Sequence, residues 1–129
     1  MQEAKHAYDK ALAIRRKLAE ANPDAYLPDV ARTLNNLGFF HYSDGRFGEA
    51  KAQVSEAESI LDLFWQANPE VHGDLMARIL WTHALVREAT KEPVEACAFA
   101  RRALAAAWDP RLREFIQPLI DRLDPPTDS

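Results

Sequence analysis

An internal repeat limits the fold of this chain more than any other feature of its sequence. The run Glu3-Ala4-Lys5 returns 46 residues later as Glu49-Ala50-Lys51, and Ala21-Asn22-Pro23 returns at the same spacing as Ala67-Asn68-Pro69. A unit of this length cannot bury its apolar residues alone, so such units stack on one another and share one interior. The chain is therefore expected to be a stack of similar units.

The apolar residues within each unit recur three and four positions apart, which is the period of an α-helix. Examples are Val30, Leu34, Leu37, Ala50, Val54, Ala57 and Leu61. No segment alternates apolar and polar residues as a strand does. Breaks rich in proline, glycine and asparagine divide the chain into predicted helices at about residues 2–21, 29–43, 47–67, 73–90, 94–108 and 111–124. The expected fold class is all-α, a solenoid of antiparallel helix pairs.

The last predicted helix, residues 111–124, carries its apolar side chains in one stripe that includes Leu112 and Phe115, with Arg111 turned outward. This pattern is typical of a helix that closes a stack. Pro118 lies inside the helix and is expected to kink or split it. Residues 125–129 are expected to form a disordered tail.

Composition and charge restrict the class of partner and the location of the protein. The chain has 129 residues, of which 47% are hydrophobic, enough for one domain with its own core. A net charge of -4 argues against nucleic acid as a partner. There is no apolar stretch of about twenty residues that could cross a membrane and no signal-like N-terminus. Because Cys97 is the sole cysteine, a reducing compartment fits best, and we expect a cytoplasmic protein.

The residues that usually carry chemistry form no recognisable site. The four histidines are too scattered for a metal signature, and the four glycines are too dispersed for a phosphate-binding loop. Cys97 has alanines on both sides and no adjacent group that would activate its thiol. We therefore predict no catalytic, cofactor-binding or metal-binding residues, and no enzyme.

One stretch of the sequence closely resembles the tetratricopeptide-repeat signature. It consists of Leu34, Asn36-Leu37-Gly38, Tyr42, Gly45, Phe47, Glu49-Ala50 and Ala57. The resemblance implies that Gly38 lets two helices approach closely and that Gly45 forms the tight turn between them. The usual unit is about 34 residues long, and the longer unit here is similar to the long repeats of kinesin light chains and of bacterial signalling proteins. HEAT and armadillo repeats are the structural alternative, which the Asn-Leu-Gly run argues against.

The resemblance also implies a division of the chain. One domain is expected over residues 1–124. It begins with a helix of the second type, meaning the second helix of a helix pair, at 2–21. A repeat at 29–67, a degenerate repeat at 73–108 and a capping helix at 111–124 follow. In the degenerate repeat, Ala84 replaces the glycine of the helix crossing and Lys91 replaces the turn glycine.

The first helix of the chain has the pattern of the second helix of a pair, and the first helix of that pair is absent. One apolar face is therefore left uncovered. Either the chain is a piece of a longer array, or a second copy covers this face in a homodimer.

In tetratricopeptide stacks the first helix of each pair lines a concave groove that holds a peptide segment of a partner. The resemblance implies that the partner-binding residues here are Arg32, Asn35, Asn36, Phe39, Tyr42, Arg78, Trp81, Thr82 and Leu85. The arginines suit carboxylates, the amides suit a peptide backbone and the aromatic rings suit apolar side chains. The competing interpretation is that Asn36 and Trp81 only hold neighbouring helices together.

The expected function is therefore a non-catalytic protein–protein interaction module, a scaffold or adaptor that binds a protein or peptide. A peptide-sensing regulatory domain and a self-associating structural module are the alternatives. RNA-binding helical repeats are the rival from another class, disfavoured by the acidic charge balance.

Overall fold

The computed structural model describes residues 2–124, which form six α-helices and no β-strand. The helices are α1 Gln2–Ala21, α2 Pro23–Ser43, α3 Phe47–Ala67, α4 Pro69–Ala89, α5 Pro93–Ala106 and α6 Pro110–Leu123. The prediction of an all-α stack of helix pairs is confirmed. The tail predicted at residues 125–129 lies outside the described residues.

Two helices begin earlier than the sequence pattern predicted. We expected the second helix to start at residue 29 and the fourth at residue 73, but they start at Pro23 and Pro69. Asn22 and Asn68 precede them with almost the same backbone angles, φ −146° and −148°. A proline fits the first helical position because the N–H that it lacks would have no partner inside the helix. These prolines therefore start helices, whereas the prediction treated them as loop residues.

The expectation that Pro118 splits the last helix is wrong, because α6 continues through it to Leu123. Pro118 is exposed, whereas Ile116 and Leu119 on either side of it are buried against the core. The loss of one backbone hydrogen bond on the solvent side is offset by burial of the apolar side chains beside it.

The turns after α2 and α4 have the same geometry although their sequences differ. The N–H of Arg46 donates to the carbonyl oxygen of His41 at 2.8 Å, and the N–H of Glu92 donates to that of Arg87 at 2.8 Å. This is the hydrogen bond that closes a Schellman motif. The turn requires a left-handed residue, which is Gly45 at φ 77° in the first case and Lys91 at φ 62° in the second. Lysine in this conformation costs about 1 kcal/mol more than glycine, so the second turn is kept by its surroundings.

Each helix packs against the next one along the chain, and α2 also contacts α4. This nearest-neighbour pattern is that of a solenoid. The interior between the layers is closed to solvent. Its largest fully buried side chains include Leu34, Leu61, Met76, Ile79, Leu80 and Ile116.

The crossing of α2 and α3 depends on Gly38. A Cβ atom at this position would lie 2.7 Å from Cγ1 of Val54, so the glycine is what permits the approach. The equivalent positions 46 residues further on are Ala84 and Ala100, and both are fully buried. Glycine thus meets valine at one crossing, and alanine stands at both equivalent positions of the other. From the first crossing to the second, the side chain becomes larger on the first helix of the pair and smaller on the second helix, so the space between them stays filled.

Ion pairs join the second-type helices α1, α3 and α5. Arg16 pairs with Glu56 at 2.7 Å, and Arg102 pairs with Glu58 at 2.9 Å. The neighbouring imidazole of His83 and the guanidinium of Arg102 hold the pKa of Glu58 below its usual value. Such pairs at the surface each contribute at most about 1 kcal/mol, so they align the layers more than they stabilise them.

Substitution of Gly38 tests the size matching at the helix crossing. Gly38→Ala should lower the free energy of unfolding by about 1–3 kcal/mol, because Val54 is stiff and cannot move aside. Adding Val54→Ala should recreate the alanine pair of the second crossing. The double variant should then be more stable than the sum of the two single losses predicts, by about 1 kcal/mol or more. Denaturant unfolding of the four proteins measures this coupling, and strictly additive losses would contradict it.

Candidate functional site

A groove of about 510 Å³ lies on the side of the stack that α2, α4 and α6 form. The first helix of each pair therefore faces it. Its lining residues are Tyr8, Asn35, Asn36, Phe39, Arg78, Trp81, Thr82, Asp109, Arg111, Leu112 and Phe115.

Three aromatic side chains, one from each of these helices, form a row along the groove. The ring centroids of Phe39 and Trp81 are 6.0 Å apart in a stacked arrangement, and those of Trp81 and Phe115 are 4.8 Å apart. Phe39 is 42% exposed and Phe115 is 57% exposed. Contiguous exposed rings of this kind are uncommon on a surface without a partner. We call Phe39, Trp81 and Phe115 the aromatic row.

A second row of polar side chains runs beside the aromatic row. Asn36, Arg78 and Arg111 each precede the aromatic residue of their own helix by three or four positions, which places the pair on one face, one turn apart. Among the residues that the structure describes, none of these three side chains has a hydrogen-bond or ion-pair partner. We call Asn36, Arg78 and Arg111 the donor row.

Asn35 lies in the same groove but is much more deeply placed. Its side chain is 9% exposed, and its Oδ1 has no hydrogen-bond partner within residues 2–124. A buried amide left in this state costs about 1–3 kcal/mol of stability. Such groups are usually satisfied by a ligand or by ordered water.

Six of the nine residues predicted from the sequence line this groove: Asn35, Asn36, Phe39, Arg78, Trp81 and Thr82. Thr82 is buried, and its hydroxyl donates to the carbonyl oxygen of Arg78 at 3.0 Å. Partner binding by these residues stays a prediction, but the structure brings them together in one cavity.

The other three predicted residues lie outside the groove lining. Arg32 pairs with Asp29 on its own helix at 2.8 Å. Tyr42 packs its ring between Phe39 and Phe47, with centroids 6.0 Å from each. Leu85 is 8% exposed and belongs to the core, because α4 is covered by α3 on one side and by α5 on the other.

The sequence pattern missed the contribution of α6. Leu112 and Phe115 were predicted to pack in the stripe of a capping helix, yet both line the groove together with Arg111. Phe115 lies at the edge of the stripe, since Ile116 is fully buried while Phe115 is mostly exposed. The order of the helices could have indicated this contribution. Like α2 and α4, α6 stands at the position of the first helix of a pair, and such helices line the groove.

Comparison with known proteins agrees with this architecture. Residues 30–57 match the family model of the tetratricopeptide repeat. That stretch covers most of α2 and the first half of α3, including Gly38 and Val54. The chain has no significant match among curated proteins or among solved structures.

The chain is therefore an all-α helical solenoid in which residues 30–57 match the tetratricopeptide repeat. Such repeats are in general non-catalytic, and they indicate a protein–protein interaction module. No helix in the described range combines the length and the apolar character needed to cross a bilayer. Within the same range, no three histidine, cysteine, aspartate or glutamate side chains are grouped so that they could hold a metal ion.

The unpaired amide of Asn35 can be tested in the protein without a ligand. Asn35→Leu keeps the branched shape but removes the polar atoms, so the free energy of unfolding should rise by about 1 kcal/mol. Asn36→Leu is the matched control and should change it by less than about 0.5 kcal/mol, because Asn36 is exposed. Chemical denaturation measures both values. A clear loss of stability in Asn35→Leu would mean that the folded chain already satisfies this amide.

Proposed function

We propose that the chain is a scaffold or adaptor module that binds a peptide segment of a partner protein in the groove along α2, α4 and α6. The observation that carries the proposal is the aromatic row lying beside unpartnered polar side chains in one cavity. Protein-binding sites combine apolar anchors, most often aromatic, with polar groups that fix the orientation of the partner.

A peptide fits the chemistry of this groove better than a compact ligand does. The amides of Asn35 and Asn36 can bond to a main chain, which offers a donor and an acceptor at nearly every residue. The aromatic row can receive side chains at several points, because it extends over three helices. The groove is also open to solvent rather than enclosed, which suits a segment of a longer chain.

The subtype and the location are part of the same proposal. The 46-residue spacing of the repeat is similar to that of kinesin light chains and of bacterial signalling proteins with long repeats. A cytoplasmic adaptor agrees with the sole cysteine and with the acidic charge balance.

Selection of peptides from a random displayed library tests the groove directly. Peptides that bind the wild-type chain should lose about tenfold or more in affinity for the double variant Phe39→Ala, Phe115→Ala, because both aromatic anchors are removed. Phe39 is 42% exposed and Phe115 is 57% exposed, and neither belongs to the buried core, so the variant should fold normally. Circular dichroism and thermal unfolding check that it does.

The matched control is the double variant Leu63→Ala, Val94→Ala. These side chains are 76% and 78% exposed, and neither lines the groove. Their loss should change affinity by less than about twofold. Equal binding by the groove variant and the control, or a failure to enrich any peptide, would contradict the proposal.

Self-association through α1 is the second candidate, and a specific observation favours it. Ile14 is 52% exposed and Leu18 is 40% exposed, and both line a depression with Ala11 and Tyr26. Exposed apolar side chains that form one patch mark interaction surfaces.

Light scattering over a range of protein concentrations tests this second candidate. If α1 mediates association, the apparent mass should rise from one copy towards two with concentration. The double variant Ile14→Lys, Leu18→Lys should remain monomeric, because a second copy would have to bury like charges. A wild-type protein that stays monomeric at every concentration would remove this candidate.

A further inference from the structure

The aromatic row and the donor row run side by side across the same three helices. Each helix contributes one residue to each row, and the two residues lie one helical turn apart, about 5.4 Å along the helix axis. A ligand that follows the rows therefore meets rings on one side and polar donors on the other.

The narrow separation of the rows favours an extended ligand over a helical one. An α-helix with its side chains is about 10 Å wide, roughly twice the distance between the rows. An extended chain directs successive side chains to opposite sides and repeats on each side about every 6.7 Å. The ring centroids of the aromatic row are spaced at 6.0 and 4.8 Å, so neighbouring rings are in contact and form one continuous apolar strip along which such side chains can lie.

The charges in the groove define the second side of the ligand. Arg78 and Arg111 are exposed and have no ion-pair partner among the described residues, although the chain carries a net charge of -4. Asp109 is the acidic residue of the lining, and its Oδ1 accepts the backbone N–H of Arg111 at 2.9 Å. Two arginines against one aspartate leave the lining with an excess of positive charge. Guanidinium groups in this state bind carboxylates in bidentate geometry.

We infer that the ligand of the groove is an extended internal segment in which acidic and apolar side chains alternate. The apolar side chains lie against the aromatic row and the carboxylates lie against Arg78 and Arg111. The amide of Asn36 completes the donor row at its α2 end. This inference rests on the proposed peptide-binding function and adds the chemical class of the ligand.

Three synthetic peptides with blocked ends test the inference by competition in fluorescence anisotropy. One alternates glutamate and leucine over six residues, the second contains the same residues as two blocks, and the third carries lysine in place of glutamate. Blocked ends ensure that no terminal carboxylate takes part. The alternating peptide should bind about tenfold more tightly than either of the others, which corresponds to the loss of one or two good contacts.

Substitutions in the donor row supply the second measurement. Arg78→Gln and Arg111→Gln should each weaken binding of the alternating peptide about fivefold, as expected for a carboxylate pair near the surface. Lys17→Gln removes the same charge from an exposed position on α1 outside the groove and should change affinity by less than about twofold.

The outcomes separate this inference from the function on which it rests. If the alternating and block peptides bind equally well, or if the lysine peptide binds as tightly, the inference is wrong even where Phe39→Ala, Phe115→Ala still weakens the binding of library peptides. The inference is also overturned if library peptides bind the groove and none of the three synthetic peptides does. If binding is insensitive to Phe39→Ala, Phe115→Ala for every peptide, the proposed function fails as well.

Discussion

Close packing between neighbouring helices, at crossings where small residues let the backbones approach, is the interaction on which the rest of this structure depends. At the first crossing the pair is Gly38 with Val54, and at the second it is Ala84 with Ala100. The sizes of the side chains differ between the two pairs, yet all four residues are buried. Because each helix buries its apolar face against its neighbours, the fold grows as an open stack and leaves one side of it free.

The groove is a consequence of this stacking, but it does not repeat the same residues in each unit. The residue equivalent to Phe39 is Leu85, which is buried, and the residue equivalent to Trp81 is Asn35, which is polar. The aromatic row forms because each layer is covered to a different extent, so a different position of each helix reaches the surface. Changes at single positions thus give a repeated backbone a surface that does not itself repeat.

The sequence alone was sufficient to predict the period and the six helices, since both depend on local patterns, and its resemblance to the tetratricopeptide repeat implied the close approach at Gly38. It misplaced the starts of α2 and α4. A proline such as Pro23 or Pro69 is equally typical of a loop and of the first position of a helix, so the local sequence does not distinguish the two. It also missed the exposure of Phe115, because the position of one residue at the edge of an apolar stripe is decided by the neighbouring helix. On the two repeated helices, six of the nine predicted residues line the candidate groove, whereas the contribution of α6 was not predicted, because no repeat guided the assignment there.

The three tryptophans allow the central claim, that the free side of the stack holds another polypeptide, to be measured in one spectrum. Trp81 lies in the groove, whereas Trp65 packs against the core and Trp108 lies against Gly73. Each indole N–H gives its own signal in a ¹H–¹⁵N correlation spectrum, and Trp81→Phe assigns the signal of the groove. During titration with a binding peptide, the signal of Trp81 should shift with saturation while those of Trp65 and Trp108 stay in place. Binding that leaves the Trp81 signal unchanged would contradict the account.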